Sequence, residues 1–541
     1  MRERGTTILD WLDALVPGSF PGRPASWRVI QTHISVVIVT PTHAFKLKKP
    51  VRLPILDYTT VGLRLHQCSE EVRLNRRLCP KVYEGTCAVL ARPDGKVVFD
   101  WLGWAAASDP EFADGTEHVV DHAVVMQVLP ADRMLDVLLE HGAVTAADLA
   151  AVGAQLAHFH ATCRSDDEVR RAGSPSRLAE LAAANFRELR AMEGHGMPPD
   201  LLDALAQRTG RDFQAMLPLM VQRMAAGRVR ECHGDVHARN VCMTTPPAIY
   251  DCIEFSLALR AMDTAAETAF LAMDLRYRGS PHLVGPFLEA HAETSGDREQ
   301  FALMPVLVAY RAMVRAKVAL LAAADPGIGA SDRSSARRSA LRHLHLAAAA
   351  AVEGTGRTWL VLCGPPASGK SSLAAELAER TGWTHLATDV VRKQLAGLAG
   401  TARGGTEHYT EDFTRRTYGE LLARAALATS TVVLLDGNFP TVALRAMAAA
   451  AARPCGATVV VLHVDVDEAT ALHRATERAA RGASVSDADA AVTARRRAQF
   501  VRPARDEGLE VLDLDGAQSA TALADHVLAQ LLREGTFQPP Q

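Results

Sequence analysis

The segment Gly364-Pro-Pro-Ala-Ser-Gly369-Lys370-Ser371 constrains this chain more than any other stretch of it. It fits the pattern GxxxxGK[ST] in full. The apolar run Thr358-Trp-Leu-Val-Leu-Cys363 precedes it, and an Ala/Leu-rich stretch follows. A strand, a glycine turn and a helix in that order aim successive backbone N–H groups at an anion, and the helix N-terminus adds positive potential. Phosphate binding is therefore expected from Gly364, Ser368, Gly369 and Ser372, with Lys370 reaching the terminal phosphates of a nucleotide and Ser371 holding Mg2+. The rest of the C-terminal sequence alternates extended and helical stretches: 358–363, 371–380, 384–388, 411–428, 431–436, 441–452, 457–464, 466–481, 487–499, 509–513 and 518–533. Such alternation predicts a parallel sheet covered by helices. Gly354-Thr355-Gly356 punctuates the chain and sets the expected boundary, giving an α/β domain over 354–541 after a first domain over 1–350.

Two carboxylates and a set of arginines fall where such a sheet would use them. Asp389-Val-Val-Arg392 follows the second strand, at the carboxyl end of the sheet, where ligands bind. Asp389 can take the proton of an attacking hydroxyl, and Arg392, one helical turn on, can hold an acceptor or a phosphate. A helix N-cap with a solvated arginine is the plainer alternative. Val432-Val-Leu-Leu-Asp436 is an apolar strand ending in a carboxylate, suited to facing Mg2+ through water. Arg474, Arg478 and Arg481 share one helical face, which can close over a transferring phosphoryl group or simply pair with Glu477 and Asp487. Together these residues resemble the small P-loop kinases of the AAA_33 type, kin to gluconate kinases and to the kinase half of polynucleotide kinases, over 356–533. The resemblance implies a base at Asp389, a substrate-binding arginine at Arg392, and ATP or GTP with Mg2+ as donor.

The first half carries a second, different set. In His233-Gly-Asp235-Val-His-Ala-Arg-Asn240 the aspartate and asparagine have the Asp-x4-Asn spacing of a kinase catalytic loop, where the aspartate meets a substrate hydroxyl and the asparagine holds a metal. Eleven residues later Ala-Ile-Tyr-Asp251-Cys-Ile-Glu254 ends a short strand in an aspartate. Strands are expected at 35–40 and 44–48, around 86–91, 97–101 and 121–129, with a helix over 68–78. A mostly helical stretch over 132–230 follows, and helices resume after 255. The segment 325–336 reads as a loop before a helix over 337–352.

This half resembles the aminoglycoside phosphotransferase (choline-kinase-like) family over 25–345, and HGDxxxxN with the following aspartate is its hallmark. Thr32-His-Ile-Ser, Phe45-Lys-Leu-Lys-Lys-Pro50, Glu71-Val-Arg-Leu-Asn-Arg-Arg-Leu78 and Phe270-Leu-Ala-Met-Asp-Leu275 further resemble a bacterial branch found fused to such a P-loop domain. The resemblance implies an α+β, protein-kinase-like bilobal domain. It makes Asp235 the base, Asn240 and Asp251 the Mg2+ ligands, and a strand lysine the partner of Glu71. Lys46 and Lys48 share a strand face by period 2, so both remain candidates. Met126 to Pro130 would form the hinge that meets the adenine. The chain departs from protein kinases in lacking GxGxxG before the lysine strand.

Composition narrows the partners. Lys+Arg is 59 against 62 Asp+Glu, a net charge of −3, which argues against a general nucleic-acid binder. Aromatics are 5%, too few for base-stacking platforms. Nine cysteines without CxxC spacing read as reduced thiols. No secretory h-region opens the sequence and no run approaches a bilayer span, so a cytoplasmic protein without membrane segments is expected. Arg260, Arg276, Arg278, Arg311, Arg315 and Lys317 follow the metal aspartate. They either pair with Asp263, Glu267 and Asp274 or serve an anionic acceptor, and both readings disfavour an aminoglycoside. The expectation is a two-site kinase acting on hydroxyl groups of small molecules. The alternatives are a polynucleotide or nucleoside kinase in the C-terminal half, and a nucleotide-sensing regulator with one non-transferring domain. Oligomeric state is not legible.

Overall fold

The computed structural model describes residues 11–53, 55–93, 96–101, 118–192, 194, 196–398, 406–481 and 490–535, leaving aside the side chains of 406–407, 478–481, 490–492 and 505. Backbone packing divides the chain into two compact units: 1–178 with 217–300, and 179–216 with 301–541. The helical residues 179–216 and 301–350, expected with the first domain, therefore group with the C-terminal sheet. Arg208 and Arg211 donate to the carbonyls of Gly535 (2.9 Å) and Leu532 (2.6 Å), and His345 meets Asp525 at 2.9 Å.

The first unit is built on a six-stranded antiparallel sheet. Its strands are β1 (Arg28–Gln31), β2 (Ser35–Val39), β3 (His43–Lys48), β4 (Tyr83–Ala91), β5 (Val97–Asp100) and β6 (His118–Gln127), in the order β1-β2-β3-β6-β4-β5. Alternation sorts the two faces of β3. Phe45 and Leu47 enter a core with Val36, Ile38, Phe20 and Phe99. Ala44, Lys46 and Lys48 take the other face, where Ala44 packs with Cys68 and Val72 of the helix Val61–Asn75. That helix starts seven residues before the expected 68, capped by the Thr60 hydroxyl accepting from the Leu63 N–H at 3.2 Å. The edge strand β1 was not expected from sequence: all four of its residues are exposed, so it shows no buried alternation.

After the sheet the first unit becomes helical. The helix Thr264–Tyr277 is buried from Thr264 through Leu275, an all-round burial that marks it as the axis of this lobe. Arg223, fully buried, forks onto Asp263 at the start of this helix (2.8 and 2.9 Å) and onto Asp297 (2.5 and 2.7 Å).

The second unit holds five parallel strands: β7 (Thr358–Cys363), β8 (Thr384–Ala387), β9 (Val432–Asp436), β10 (Thr458–Asp465) and β11 (Glu510–Asp515). Their order is β8-β9-β7-β10-β11. Every residue of β7 and β9 is buried, as strands covered on both faces require. The sequence-derived helices and strands of this half recur over the described residues, and positions 487–489 of the expected helix over 487–499 lie outside them. The helix placed over 337–352 begins earlier, at Ala330, and runs to Glu353, absorbing part of the expected loop. Neighbours β9 and β10 lie on opposite sides of β7, so the crevice opens at its carboxyl end. Among the described residues no helix is long and apolar enough to cross a membrane.

Candidate functional site

The C-terminal candidate site begins where β7 ends. The loop 364–369 turns through Gly364 (φ +149°), Ala367 (φ +63°) and Gly369 (φ +106°) before the helix Lys370–Thr381 starts. A Cβ on Gly364 would stand 2.1 Å from the Val464 carbonyl oxygen, and one on Gly516 2.2 Å from that of Ser368, so two neighbouring segments close on this loop as backbone alone. Lys370 Nζ donates to the Pro365 carbonyl (2.7 Å) and the Ser368 hydroxyl (3.3 Å).

A cavity of about 850 Å³ opens over the loop, lined by Gly369, Lys370, Ser371 and Ser372 on one side and by Asp389, Asp436 and Asn438 among others. The sequence-derived Asp389 and Asp436 thus meet the phosphate loop in one space. Asp436 is buried, with His385 Nε2 at 3.4 Å from its Oδ2. Arg474 lines the cavity too, its Nη1 3.5 Å from the Ser368 carbonyl oxygen. The Arg478 side chain lies outside the described residues. Arg392 is placed differently from expectation. It is buried, donates to the His408 carbonyl at 2.7 Å, and sets its guanidinium 4.8 Å from the centroid of Tyr409, so it supports the cavity wall and does not line it. Tyr409, Arg496 and Gln518 line the cavity and escaped sequence reasoning, because no spacing rule links a turn, a helix and a loop that distant in the chain.

The N-terminal candidate site joins four segments. Lys46 Nζ donates to Glu71 Oε1 at 2.8 Å and also to Asp251 Oδ1, while Lys48 Nζ donates to Glu71 and to Glu254. Both lysines therefore reach Glu71, and exposure separates them. The Lys48 side chain is 1% exposed and locked against Glu254, which also accepts from the Tyr58 hydroxyl at 2.8 Å. The Lys46 side chain is 14% exposed and meets Asp251, itself 44% exposed. Burial works to lower both lysines, but the carboxylates of Asp251 and Glu71 outweigh it at Lys46, and those of Glu254 and Glu71 at Lys48. Both stay above the ordinary lysine value. Burial likewise pushes Glu71 up, and Lys46 and Lys48 hold it below the usual carboxylate range.

Asp235 and Asn240 stand together: Asn240 Nδ2 donates to the Asp235 carbonyl (3.0 Å) and to its Oδ2 (3.2 Å). Asp251 takes a left-handed conformation (φ +64°), and its N–H donates to the Tyr83 hydroxyl at 3.2 Å. The next residue, Cys252, donates its N–H to Asn75 Oδ1 at 2.9 Å, which ties the Asp251 turn to the helix carrying Glu71. Hard oxygen donors of this kind, the Asn240 amide and the Asp251 carboxylate, suit Mg2+. Met126 lies within β6, paired with Ala44 and Tyr83, with its side chain in the core.

A feature beneath this site was not legible in sequence. Glu267, on the buried helix, accepts the N–H groups of His233 (2.8 Å) and Gly234 (2.6 Å) on Oε1 and pairs with His160 Nε2 at 2.8 Å through Oε2. Two turns on, Asp274 accepts the Ala238 N–H at 2.8 Å. One buried helix thus holds both ends of the loop that carries Asp235. Burial alone would raise Glu267, but the His160 hydrogen bond and charge lower it to about 2. Asp274 also takes Arg278 at 3.0 Å, as one reading of the basic residues expected. The other partners differ: Arg260 pairs with Glu231 at 2.9 Å, and Asp263 belongs to Arg223. Arg311, Arg315 and Lys317 fall in the other unit, where Lys317 pairs with Glu188 at 3.1 Å.

One chain thus carries a unit built on a six-stranded antiparallel sheet with helices and a unit built on a parallel sheet around a phosphate-binding loop. Residues 360–503 match the AAA_33 family model, an AAA domain. The chain belongs to the family of protein Rv2004c of Mycobacterium tuberculosis, with 30% identity over 475 residues, 86% of this chain and 88% of that protein. Protein Mb2027c of Mycobacterium bovis matches to the same extent. Among solved structures, a choline/ethanolamine kinase family protein from Mesorhizobium loti covers 60% of this chain and 88% of its own, at 11% identity and a TM-score of 0.36. A gluconokinase from Sinorhizobium meliloti 1021 covers 33% of this chain and 93% of its own, at 20% identity and a TM-score of 0.26.

Proposed function

We propose that the chain is a phosphotransferase with two separate centres, each passing the terminal phosphoryl group of ATP or GTP to a hydroxyl of a small molecule. The observation that carries this reading is the convergence on Lys46. Its ammonium touches Glu71 from one helix and Asp251 from a turn far along the chain, beside the Asp235–Asn240 pair. A strand lysine held by a helix carboxylate and aimed at a metal-type aspartate is the arrangement phosphoryl transfer needs. In this centre Lys46 binds donor phosphates, Lys48 fixes the Glu71–Glu254 frame, Asp235 takes the acceptor proton, and Asn240 and Asp251 hold Mg2+.

The C-terminal centre works with different parts. Lys370 and the loop N–H groups bind the donor phosphates, Ser371 and Asp436 hold Mg2+, and Asp389 receives the acceptor proton. Held by these residues, Mg2+ would neutralise phosphate charge in each centre. Arg260 and Arg278 are engaged in ion pairs, so these two residues give no support to an anionic acceptor in the first centre.

The test is nucleotide binding by the full chain. Lys370→Ala removes the one lysine of the phosphate loop, so one of two ATP·Mg sites should vanish from an equilibrium titration and the other persist. An unchanged stoichiometry and affinity would refute the assignment of the C-terminal centre.

A further inference from the structure

The cavity over the phosphate loop contains a cation that the donor site does not use. Lys370 and Arg474 stand with the loop, against the carbonyls of Pro365 and Ser368. Arg496 stands elsewhere. Among the described residues it forms no ion pair, and its guanidinium carbon lies 4.6 Å from the centroid of the Tyr409 ring. Both residues line the cavity and both are half-buried.

A chain of contacts fixes which end of the cavity this is. Asp389 and Arg392 lie one turn apart in the helix Thr388–Leu395. Arg392, held by the His408 carbonyl and by the Thr414 hydroxyl at 3.4 Å, approaches the Tyr409 ring, and Tyr409 carries Arg496. The Arg496 guanidinium therefore belongs with the Asp389 wall. An aromatic ring engages the plane of a guanidinium and leaves its N–H edge available. A planar donor edge that rests on a ring, lines the cavity with Asp389, Asp436 and Glu477, and forms no ion pair among the described residues matches a carboxylate or phosphate.

We propose that the acceptor of the C-terminal centre carries an oxyanion group, carboxylate or phosphate. Arg496 holds this group on the Tyr409 shelf while Asp389 meets the acceptor hydroxyl. The proposal rests on the phosphotransferase reading of that centre. In the step, the acceptor oxygen bonds to the γ-phosphorus, the bond from that phosphorus to the β–γ bridging oxygen breaks, and the nucleoside diphosphate leaves. The hydroxyl proton goes to Asp389. Arg496 forms no bond in the reaction; it selects which hydroxyl compounds stay long enough to react.

The experiment uses the full chain saturated with Mg2+ and AMP-PNP, a non-transferable ATP analogue that fills the donor phosphate positions. Inorganic phosphate and, separately, acetate are titrated at constant ionic strength into wild type, Arg496→Gln, Arg496→Lys and Tyr409→Leu. Saturable binding of at least one anion is expected, weakened about tenfold or more by Arg496→Gln, as loss of a charged hydrogen-bond donor requires. Arg496→Lys should retain part of it and Tyr409→Leu should weaken it, with Lys370-dependent AMP-PNP affinity unchanged throughout. Which anion binds says whether the group is carboxylate or phosphate. Absence of any anion binding that depends on Arg496 overturns the proposal. So does a matching fall in AMP-PNP affinity, which would make Arg496 a donor-phosphate residue. Failure of AMP-PNP to bind through Lys370 in the wild type refutes the donor-site reading itself, and the subsite falls with it.

Discussion

Lys46 and Lys48 are two residues apart, share a strand face and touch the same glutamate, yet their removal should do opposite things. Lys48→Met takes a cation from between two buried carboxylates. Glu71 keeps Lys46, but among the described residues the Glu254 carboxylate keeps only the Tyr58 hydroxyl. Breaking a buried pair this way costs about 3–5 kcal/mol. Lys46→Met leaves Glu71 with Lys48 and leaves Asp251 at 44% exposure, where water screens it, so the cost should be about 1 kcal/mol. The function should move the other way, because only Lys46 meets Asp251. The assay pairs hydrogen exchange of the helix Val61–Asn75 with nucleotide affinity measured in a Lys370→Ala background. Lys48→Met should raise exchange through that helix by a factor of a hundred or more, the size of about 3 kcal/mol. Lys46→Met should leave exchange near wild type and abolish binding. Equal destabilisation by the two variants, or nucleotide binding that survives Lys46→Met, would refute the division of labour.

Two further predictions concern acid stability and the phosphate loop. Burial lowers His291 to about 3, and Glu267 sits at about 2, so both titrate far below their unfolded values near 6.5 and 4.5. For each the unfolded chain binds more protons in the intervening window. Stability of the first unit is therefore full above pH 6.5, falls towards pH 3 through His291, and falls below pH 4.5 through Glu267, by up to about 1.4 kcal/mol per pH unit for each proton. Urea midpoints followed by exchange in the helix Thr264–Tyr277 at pH 7.5, 6.0 and 4.5 check the sign, and a flat profile would contradict it. Gly516→Ala puts a Cβ 2.2 Å from the Ser368 carbonyl oxygen, so the loop must shift. ATP affinity of the C-terminal centre should drop at least about tenfold with the thermal stability of the N-terminal unit unchanged, and unaltered affinity would show that the loop tolerates the shift.

The sequence was most legible where burial is two-sided. Strands β7 and β9 are apolar from end to end because helices cover both faces, and their boundaries follow the hydrophobic runs. Strand β1 is exposed at every position and leaves no such trace. The motif residues of both sites were also legible, since backbone geometry ties Lys370 to Ser371 and Asp235 to Asn240 by spacing alone. What spacing cannot carry is the choice of tertiary partner. Arg260 takes Glu231 in place of a neighbour in its own segment, and Glu267 serves the loop at His233 instead of an arginine. The same limit applies to the units: periodicity shows that the helices over 179–216 and 301–350 have apolar faces, but not which core those faces meet.

Because those helices group in one unit with the C-terminal sheet, the two centres are best tested without cutting the chain. The measurement is ATP turnover by the full-length protein as wild type, Asp235→Asn, Asp389→Asn and the double variant, each also in the Lys370→Ala background. Loss of a base costs about 10²–10⁴-fold at its own centre. Independent centres predict that Asp389→Asn changes nothing once Lys370 is gone, that Asp235→Asn silences what Lys370→Ala leaves, and that each single variant keeps the other activity. If either single variant abolishes all turnover, the chain has one coupled centre and the account of two is wrong.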